Sequence, residues 1–357
     1  MSPTAATVTA DDLAAFVRAI CAAADVPTDD SYLIAAALVE ADLRGVSSHG
    51  CARLPAYARA LAARIINPKP ELSRVRGGTA VELLDGDNGL GLVLGQRSMM
   101  RAVELAQGAG IGAVSVRNSN HTGMLAIHLT PATTAHMIGF FTSNAPAVMT
   151  PYGGRDPKLG NGPFAYGIPT RGEPIVVDMA SSATNRGRIR LYANTGRRLP
   201  SGWALDDEGG ATIDPAAALR GLLLPMAGHK GYGLAVVNEI LAGVLAGATL
   251  AADMPREFLR EGSRVLDSWR SGHLAIAIDL TAFAERETFL DQIDTFAAQL
   301  RSARPALGND TVLLPGEPES ARRAAQLESG IELGGAVIEG LDELASELGV
   351  EPLPHRR

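Results

Sequence analysis

Between two apolar helical stretches the chain reads Arg44-Gly-Val-Ser-Ser-His-Gly-Cys-Ala-Arg53-Leu-Pro-Ala-Tyr57, a concentration of polar groups in a short connection. Ser47, Ser48 and His49 are expected just ahead of a helix N-terminus, where free backbone N–H groups and the helix dipole attract anions. Arg53 and Tyr57 stand i,i+4 and so project from one helix face. An arginine can hold a carboxylate in a bidentate pair while a nearby histidine exchanges a proton. That pairing suits a 2-oxo or 2-hydroxy acid. A plainer account also fits, with Ser48 as a helix cap and His49 as a surface side chain. A hydrolase using Ser48 with His49 is disfavoured: adjacent residues rarely point together, and no nucleophile elbow or oxyanion motif accompanies them.

Three further segments carry chemistry-bearing groups. Arg117-Asn-Ser-Asn-His121-Thr-Gly123 follows an expected strand, and strand ends are where α/β folds present ligand-binding groups. His121 reads as an acid/base, a cofactor contact or a turn histidine, and Gly123 allows close backbone approach. His121 and His128 lie seven apart with no acid in a zinc spacing, so no metal site is expected. Asp178-Met-Ala-Ser-Ser closes another strand with small side chains that leave room for a cofactor. Gly228-His-Lys230-Gly-Tyr-Gly233 reads as a phosphate cradle at a helix start or as a solvated lysine in a turn. It lacks the GxxxxGK[ST] pattern, which excludes a P-loop. Two glycine runs imitate a dinucleotide fingerprint. Gly89, Gly91 and Gly95 lack the acidic residue expected about 20 residues on. Gly108, Gly110 and Gly112 fall between a helix and a strand, the wrong order, and read as a helix cap and turn.

The elements that must position these groups fall into two textures. Thr9 with Asp12 forms a capping pattern for a helix over 13–24; Asp30 or Ser31 opens a second over 32–44, stopped by Gly45. A third starts near Pro55 and runs to Ile66. Asn67-Pro68-Lys69-Pro70 then breaks the pattern, so residues 1–72 read as a helical lobe. Strands are expected over 80–84, 111–116, 137–141, 174–179 and 274–278, with helices over 96–106 and 232–245. This assigns 73–300 to an α/β domain and 301–357, with a helical stretch over 329–348, to a closing segment.

The 357 residues correspond to two or three domains at ~150 residues each. A net charge of −7 and 4% aromatic residues leave neither a basic footprint nor a stacking platform, so nucleic acid is not an expected partner. Cys21 and Cys51 are too few for a disulfide framework and suit a reducing cytoplasm. The N-terminus has no basic region ahead of its apolar stretch. The longest apolar run, 234–252, is broken by Asn238 and Glu239 and reads as a buried helix rather than a membrane span.

Taken in order, LRGVSSHG with ARLPAY, DGDNGLG, VRNSNHTG, VVDMASS, LPSGWALD, GHKGYGLA and LLPGEPE resemble the type-2 malate/L-lactate dehydrogenase family. Its relatives include sulfolactate and ureidoglycolate dehydrogenases, 2,3-diketogulonate reductase and piperideine-2-carboxylate reductase. The resemblance implies an α/β fold with a mixed sheet, a non-Rossmann NAD(P)-binding lobe and a helical lobe built from both termini. It implies a homodimer with NAD or NADP as cofactor. By the family pattern Ser48 and His49 look like a proton relay and Arg53 like the substrate carboxylate clamp, with Tyr57 and Asn161 also on the substrate side. His121, Thr122, Gly123, Met124, Leu125, Asp178, Met179, Ala180, Lys230 and Glu317 look like cofactor contacts. His121 competes with His49 for the acid/base role.

Several departures bear on the substrate. Gly160-Asn161-Gly162-Pro163 replaces the frequent Thr-Asn-Pro, Asn120-His121-Thr122 replaces Asn-His-Phe or Asn-His-Tyr, and Gly187-Arg188 removes an aspartate that would complete a Ser-His-Asp relay. The expected activity is hydride transfer between nicotinamide and C2 of a small 2-oxo or 2-hydroxy acid of the malate, lactate, ureidoglycolate or sulfolactate type. The alternatives are a cyclic imino-acid (piperideine- or pyrroline-2-carboxylate) reductase and a non-catalytic relative.

Overall fold

A computed structural model describes residues 5–255 and 267–355. β1 (Ala6–Val8) leads into α1 (Ala10–Ala23), whose N-terminus is capped as expected: Thr9 Oγ1 accepts from Asp12 N at 3.1 Å and donates to the Asp12 carboxylate at 2.7 Å. α2 (Thr28–Leu43) starts earlier than the sequence reading placed it, because Pro27 takes the cap position. Asp30 lies inside the helix, buried and paired with Arg97. Gly45, at φ +73°, ends α2 with paired bonds from its own N–H to Asp42 O (2.8 Å) and from Val46 N to Ala41 O (2.8 Å). Two single 3₁₀ turns, Ser47–His49 and Cys51–Arg53, then carry the chain into α3 (Leu54–Ala62). That helix stops short of Ile66 because Arg64 turns to φ +59°.

The α/β part follows with β2 (Ser73–Gly77), β3 (Val81–Asp85), α4 (Gly91–Ala109), β4 (Ile111–Ser119), α5 (Thr130–Thr134), β5 (Met137–Ser143), β6 (Phe164–Ile168) and β7 (Ile175–Met179). α6 (Arg186–Asn194), β8 (Ala204–Leu205), β9 (Ala211–Thr212), α7 (Pro215–Arg220) and β10 (Leu222–Leu223) make a small satellite before α8 (His229–Glu239). β11 (Ser271–Asp279), α9 (Arg286–Arg301), α10 (Glu317–Ser329), β12 (Ile331–Leu333) and α11 (Gly335–Leu348) complete the chain. The expected helix over 329–348 is thus interrupted: Gly330 at φ +92° ends α10, and β12 intervenes.

The main sheet is mixed, in the order β2-β3-β4-β11-β5-β6-β7. Only β3 and β4 run parallel, and α4 is their crossover; β11 inserts antiparallel between β4 and β5, with Ala275 opposite both Val114 and Phe141. α4 lies close on the sheet because Gly112 has no side chain; a Cβ there would stand 2.0 Å from Ala102 O. Gly110 at φ +78° caps α4, as the ordering argument expects. β1 pairs with β12, and Leu13, Ile20, Leu38 and Leu54 share one hydrophobic cluster with Ile331, Leu341 and Leu344. Both chain ends therefore bury apolar surface in the same core.

One expectation is overturned. The apolar run 234–252, expected as a buried helix, forms most of α8, a π-helical turn (Ile240–Val244) and the turns after it, and its buried residues are Ala235, Asn238, Ala242, Gly243, Ala246 and Ala251. Leu234, Val237, Ile240, Val244 and Leu245 face out, with Val237 50% and Leu245 58% exposed. Among the described residues, no helix is long and apolar enough to cross a membrane.

Candidate active site

The two 3₁₀ turns at the foot of α3 carry the first group of expected site residues. Ser48 Oγ lies 3.0 Å from His49 Nδ1, and Arg53 Nε donates to Ser48 O at 2.7 Å, so the histidine and the guanidinium are tied through one serine. Tyr57, a turn further along α3, is fully buried with its hydroxyl 2.5 Å from His121 Nδ1. The imidazoles of His49 and His121 stack with centroids 5.6 Å apart and planes 12° from parallel. Trp269 meets His121 edge-on at 5.3 Å. The structure thus brings Ser48, His49, Arg53, Tyr57 and His121 together across 73 positions of sequence (121 − 48).

His121 is placed by the ends of two parallel strands. Asp85, closing β3, accepts from Arg117 Nε and Asn118 Nδ2 of β4, each at 3.0 Å. Asn120 is buried; its amide donates to Asn88 O and Gly89 O at 3.2 and 3.1 Å, and its Oδ1 accepts from Trp269 N at 3.0 Å. Gly91 completes the fit, since a Cβ there would stand 2.2 Å from Asn120 O. The α4 N-terminus is therefore packed against the 120–121 backbone. This explains the glycines of the DGDNGLG segment by close packing, with no phosphate required.

Electrostatics keep both histidines neutral near pH 7. Desolvation, and secondarily the Arg53 guanidinium, push His49 down to about 4. Desolvation also pushes His121 well below its ordinary value, assisted by His49, Arg53 and His128. Burial raises the Tyr57 phenol above its ordinary range, so it stays protonated and acts as a donor. When the phenol donates to His121 Nδ1, the ring's own proton sits on Nε2.

From His121 the chain runs toward the second group. Gly123 adopts φ +70°, His128 Nε2 donates to Thr122 O at 2.7 Å, and Ala126 N donates to Asp178 Oδ2 at 2.8 Å. The expected cofactor segments 121–125 and 178–180 are therefore adjacent. Just beyond Ala180, Ser181 N donates to Asn161 O (2.8 Å), and Ser181 Oγ and Asn238 Nδ2 both donate to Gly162 O (2.7 and 2.9 Å). Gly231 packs on the same point, its absent Cβ lying 2.3 Å from Met226 O. Asn161, Asp178–Ala180 and the Lys230 loop thus form one cluster at the start of α8. Among the described residues, no hydrogen bond links His49 or His121 to the Asn161–Ser181 cluster; the 121–126 segment spans between them.

A nicotinamide dinucleotide fits these residues in kind. Lys230 is exposed on the first turn of α8 and makes no ion pair among the described residues, leaving its charge and the positive helix end open to phosphate. Glu317 is different. Its carboxylate accepts from Leu314 N (2.7 Å) and from Arg301 Nε (2.9 Å), so its side chain already has protein partners. Arg188 stands 5.0 Å over the Trp203 ring, and no carboxylate hydrogen-bonds to His49 among the described residues. Among the described residues, the hydrogen-bond partner of the His49 ring is Ser48. A cleft of about 580 Å³ lined by Tyr192, Arg197, Arg198 and Asp214 lies against the satellite and contains none of the expected site residues.

Comparison with known proteins identifies the family. The sequence model of the family described as malate/L-lactate dehydrogenase matches residues 8–342. The chain belongs to that family. A malate dehydrogenase of Pyrococcus horikoshii is 34% identical over 351 residues, 96% of each chain. The solved sulfolactate dehydrogenase of Methanocaldococcus jannaschii superposes with a TM-score of 0.90 at 32% identity, covering 97% of this chain and 98% of that one. A Δ1-piperideine-2-carboxylate reductase from Pseudomonas syringae pvar. tomato gives 0.84 at 29% identity, covering 95% and 99%. Family membership makes this protein an NAD(P)-dependent oxidoreductase.

Sequence reasoning missed Trp269 and Asn120 as contributors to the site. Trp269 belongs to no motif, and only its tertiary placement against His121 reveals it.

Proposed function

We propose that this protein moves a hydride between NAD(P) and C2 of a small 2-oxo or 2-hydroxy acid, with Arg53 holding the substrate carboxylate and His49 exchanging the proton. One observation supports this reading: Arg53 and His49, on two consecutive 3₁₀ turns, are cross-linked through Ser48. The nicotinamide supplies or accepts the hydride when bound. Ser48 holds the Nδ1 side of His49, leaving Nε2 to face the substrate oxygen. A carboxylate seated on Arg53 offsets the positive charge that depresses His49, so substrate binding raises the affinity of His49 for a proton when one is needed. His121, fixed by Tyr57 and stacked on His49, sets the ring's plane. Trp269 and the buried Tyr57 keep water from the back of the stack. The 121–125 segment, Asp178–Ala180 and Lys230 line the cofactor side, and Asn161 stands beside them.

The likeness to the piperideine-2-carboxylate reductase favours a second reading, reduction of a cyclic imine bearing the same carboxylate. A panel of 2-oxo acids and cyclic imines, assayed by nicotinamide absorbance with NADH and NADPH, separates the two. Turnover of 2-oxo acids is expected. Turnover of imines alone would select the second reading, and failure to bind either cofactor would overturn both. The protein is further proposed to be a cytoplasmic homodimer, with the apolar outer face of α8 and its π-turn covered by a second copy.

A further inference from the structure

We propose that Asp42 is a positioning residue for this reaction, setting the geometry of the turns that carry His49 and Arg53; the proposal rests on the function read above. Asp42 lies on the last turn of α2, only 4% exposed. Its Oδ2 accepts from Cys51 N at 2.8 Å, and the Cys51 thiol lies beside the same carboxyl. Cys51 opens the second 3₁₀ turn, so this contact grips the chain between His49 and Arg53. Gly50 joins the two turns, and its size is dictated by the carboxyl: a Cβ there would stand 2.0 Å from Asp42 Oδ1. The carboxyl is thus seated in the concave side of the loop, with Gly50 against it and Cys51 closing over it.

No cation stabilises this group. Asp42 makes no ion pair among the described residues, while its neighbour Glu40 pairs with both Arg44 (2.7 Å) and Arg323 (2.9 Å). A buried carboxyl without a cation is costly, and an amide or hydroxyl could cap one N–H at lower cost. What a carboxyl adds is two acceptor oxygens and a stronger bond when ionised. Oδ2 takes the Cys51 N–H of the loop that bears the clamp and the proton carrier, and Oδ1 faces Gly50 of the same loop. The other side of the post is held as firmly: Gln326 Nε2 donates to Asp42 O and Leu43 O at 3.0 and 2.9 Å, tying the end of α2 to α10. Burial keeps the Cys51 thiol protonated, so it serves as a donor.

The test compares wild type with Asp42→Asn and Cys51→Ala, each checked for its folded fraction by thermal melting. Losing a bond to a charged group should raise KM for the carboxylate substrate about tenfold in Asp42→Asn, with Kd for NADH unchanged. Cys51→Ala keeps the backbone donor and should show a smaller change in the same direction. The His49 Cε1–H resonance, followed through a pH titration, should shift its midpoint in Asp42→Asn, a readout that a merely stabilising residue would not move. Wild-type KM and an unchanged His49 titration in either folded variant would overturn the proposal. The resonance also separates the two ideas: a wild type that reduces no acid refutes the assigned function, while the His49 titration still decides whether Asp42 sets the loop.

Discussion

At the residue scale, the site is a chain of short contacts in which each group has one job. Ser48 holds both His49 and Arg53; Tyr57 holds His121; Trp269 closes the back. Arg53→Ala should therefore raise KM for the acid about 100-fold through loss of a charge-assisted pair, while the cofactor Kd from fluorescence titration stays at its wild-type value. Equal losses in both constants would remove Arg53 from the substrate side. Tyr57→Phe keeps the buried ring and removes only the bond to His121 Nδ1. We expect a wild-type melting temperature within a few degrees, kcat lowered about tenfold, and an altered pH profile, because the imidazole is then free to change tautomer.

At the element scale, the 121–125 segment rests on a stack of buried rings. His128, on the 3₁₀ turn Leu125–Leu129, stacks on Phe141 of β5 at 4.5 Å, and Phe141 stacks on His273 of β11 at 5.2 Å. Burial holds His128 at about 4 and His273 at about 3, well under the ordinary 6.5, and His49 is held at about 4. Between those values the unfolded chain binds more protons than the folded one, so stability rises with pH there. It is fully present above pH 6.5 and is lost progressively as pH falls toward 4. Asp42 and Asp178, each raised to about 6 by burial, oppose this between 3.8 and 6, with Asp30 and Glu239 raised in the same direction; His121 is lowered with the other three imidazoles, so the fall is steepest between pH 7 and 6, above the carboxyl window. Calorimetry should show the melting temperature falling from pH 7 to pH 4.5; a flat profile would mean that these rings are solvated.

At the scale of the whole molecule, two features stand out. Both chain ends share one hydrophobic core, and a stripe of Leu234, Val237, Ile240, Val244 and Leu245 faces outward beside the Lys230 loop. A stripe of this kind is unusual on the surface of a monomer. Val237→Asp with Val244→Asp should convert a dimer to a monomer in analytical ultracentrifugation, leaving the far-UV circular dichroism unchanged. A wild-type chain that sediments as a monomer at micromolar concentration would remove the dimer from the proposal.

Local chemistry was legible in the sequence wherever it depends on neighbours along the chain. The Thr9 cap, the Gly45 and Gly110 helix ends, the strands around 111–116 and 274–278, and the ordered motifs that name the family all follow from spacing and backbone freedom. The start of α2 was misplaced because a proline cap leaves no side-chain signature, and the helix over 329–348 because Gly330 could be read as tolerated. What the tertiary structure alone decided is which distant residues meet. The sequence places Tyr57 on the substrate side, and only the fold shows its hydroxyl on His121; the apolar run of α8 reads as buried, and half of it faces outward. Period and composition record how apolar a face is; whether another element covers it depends on packing across the chain, which no local pattern contains.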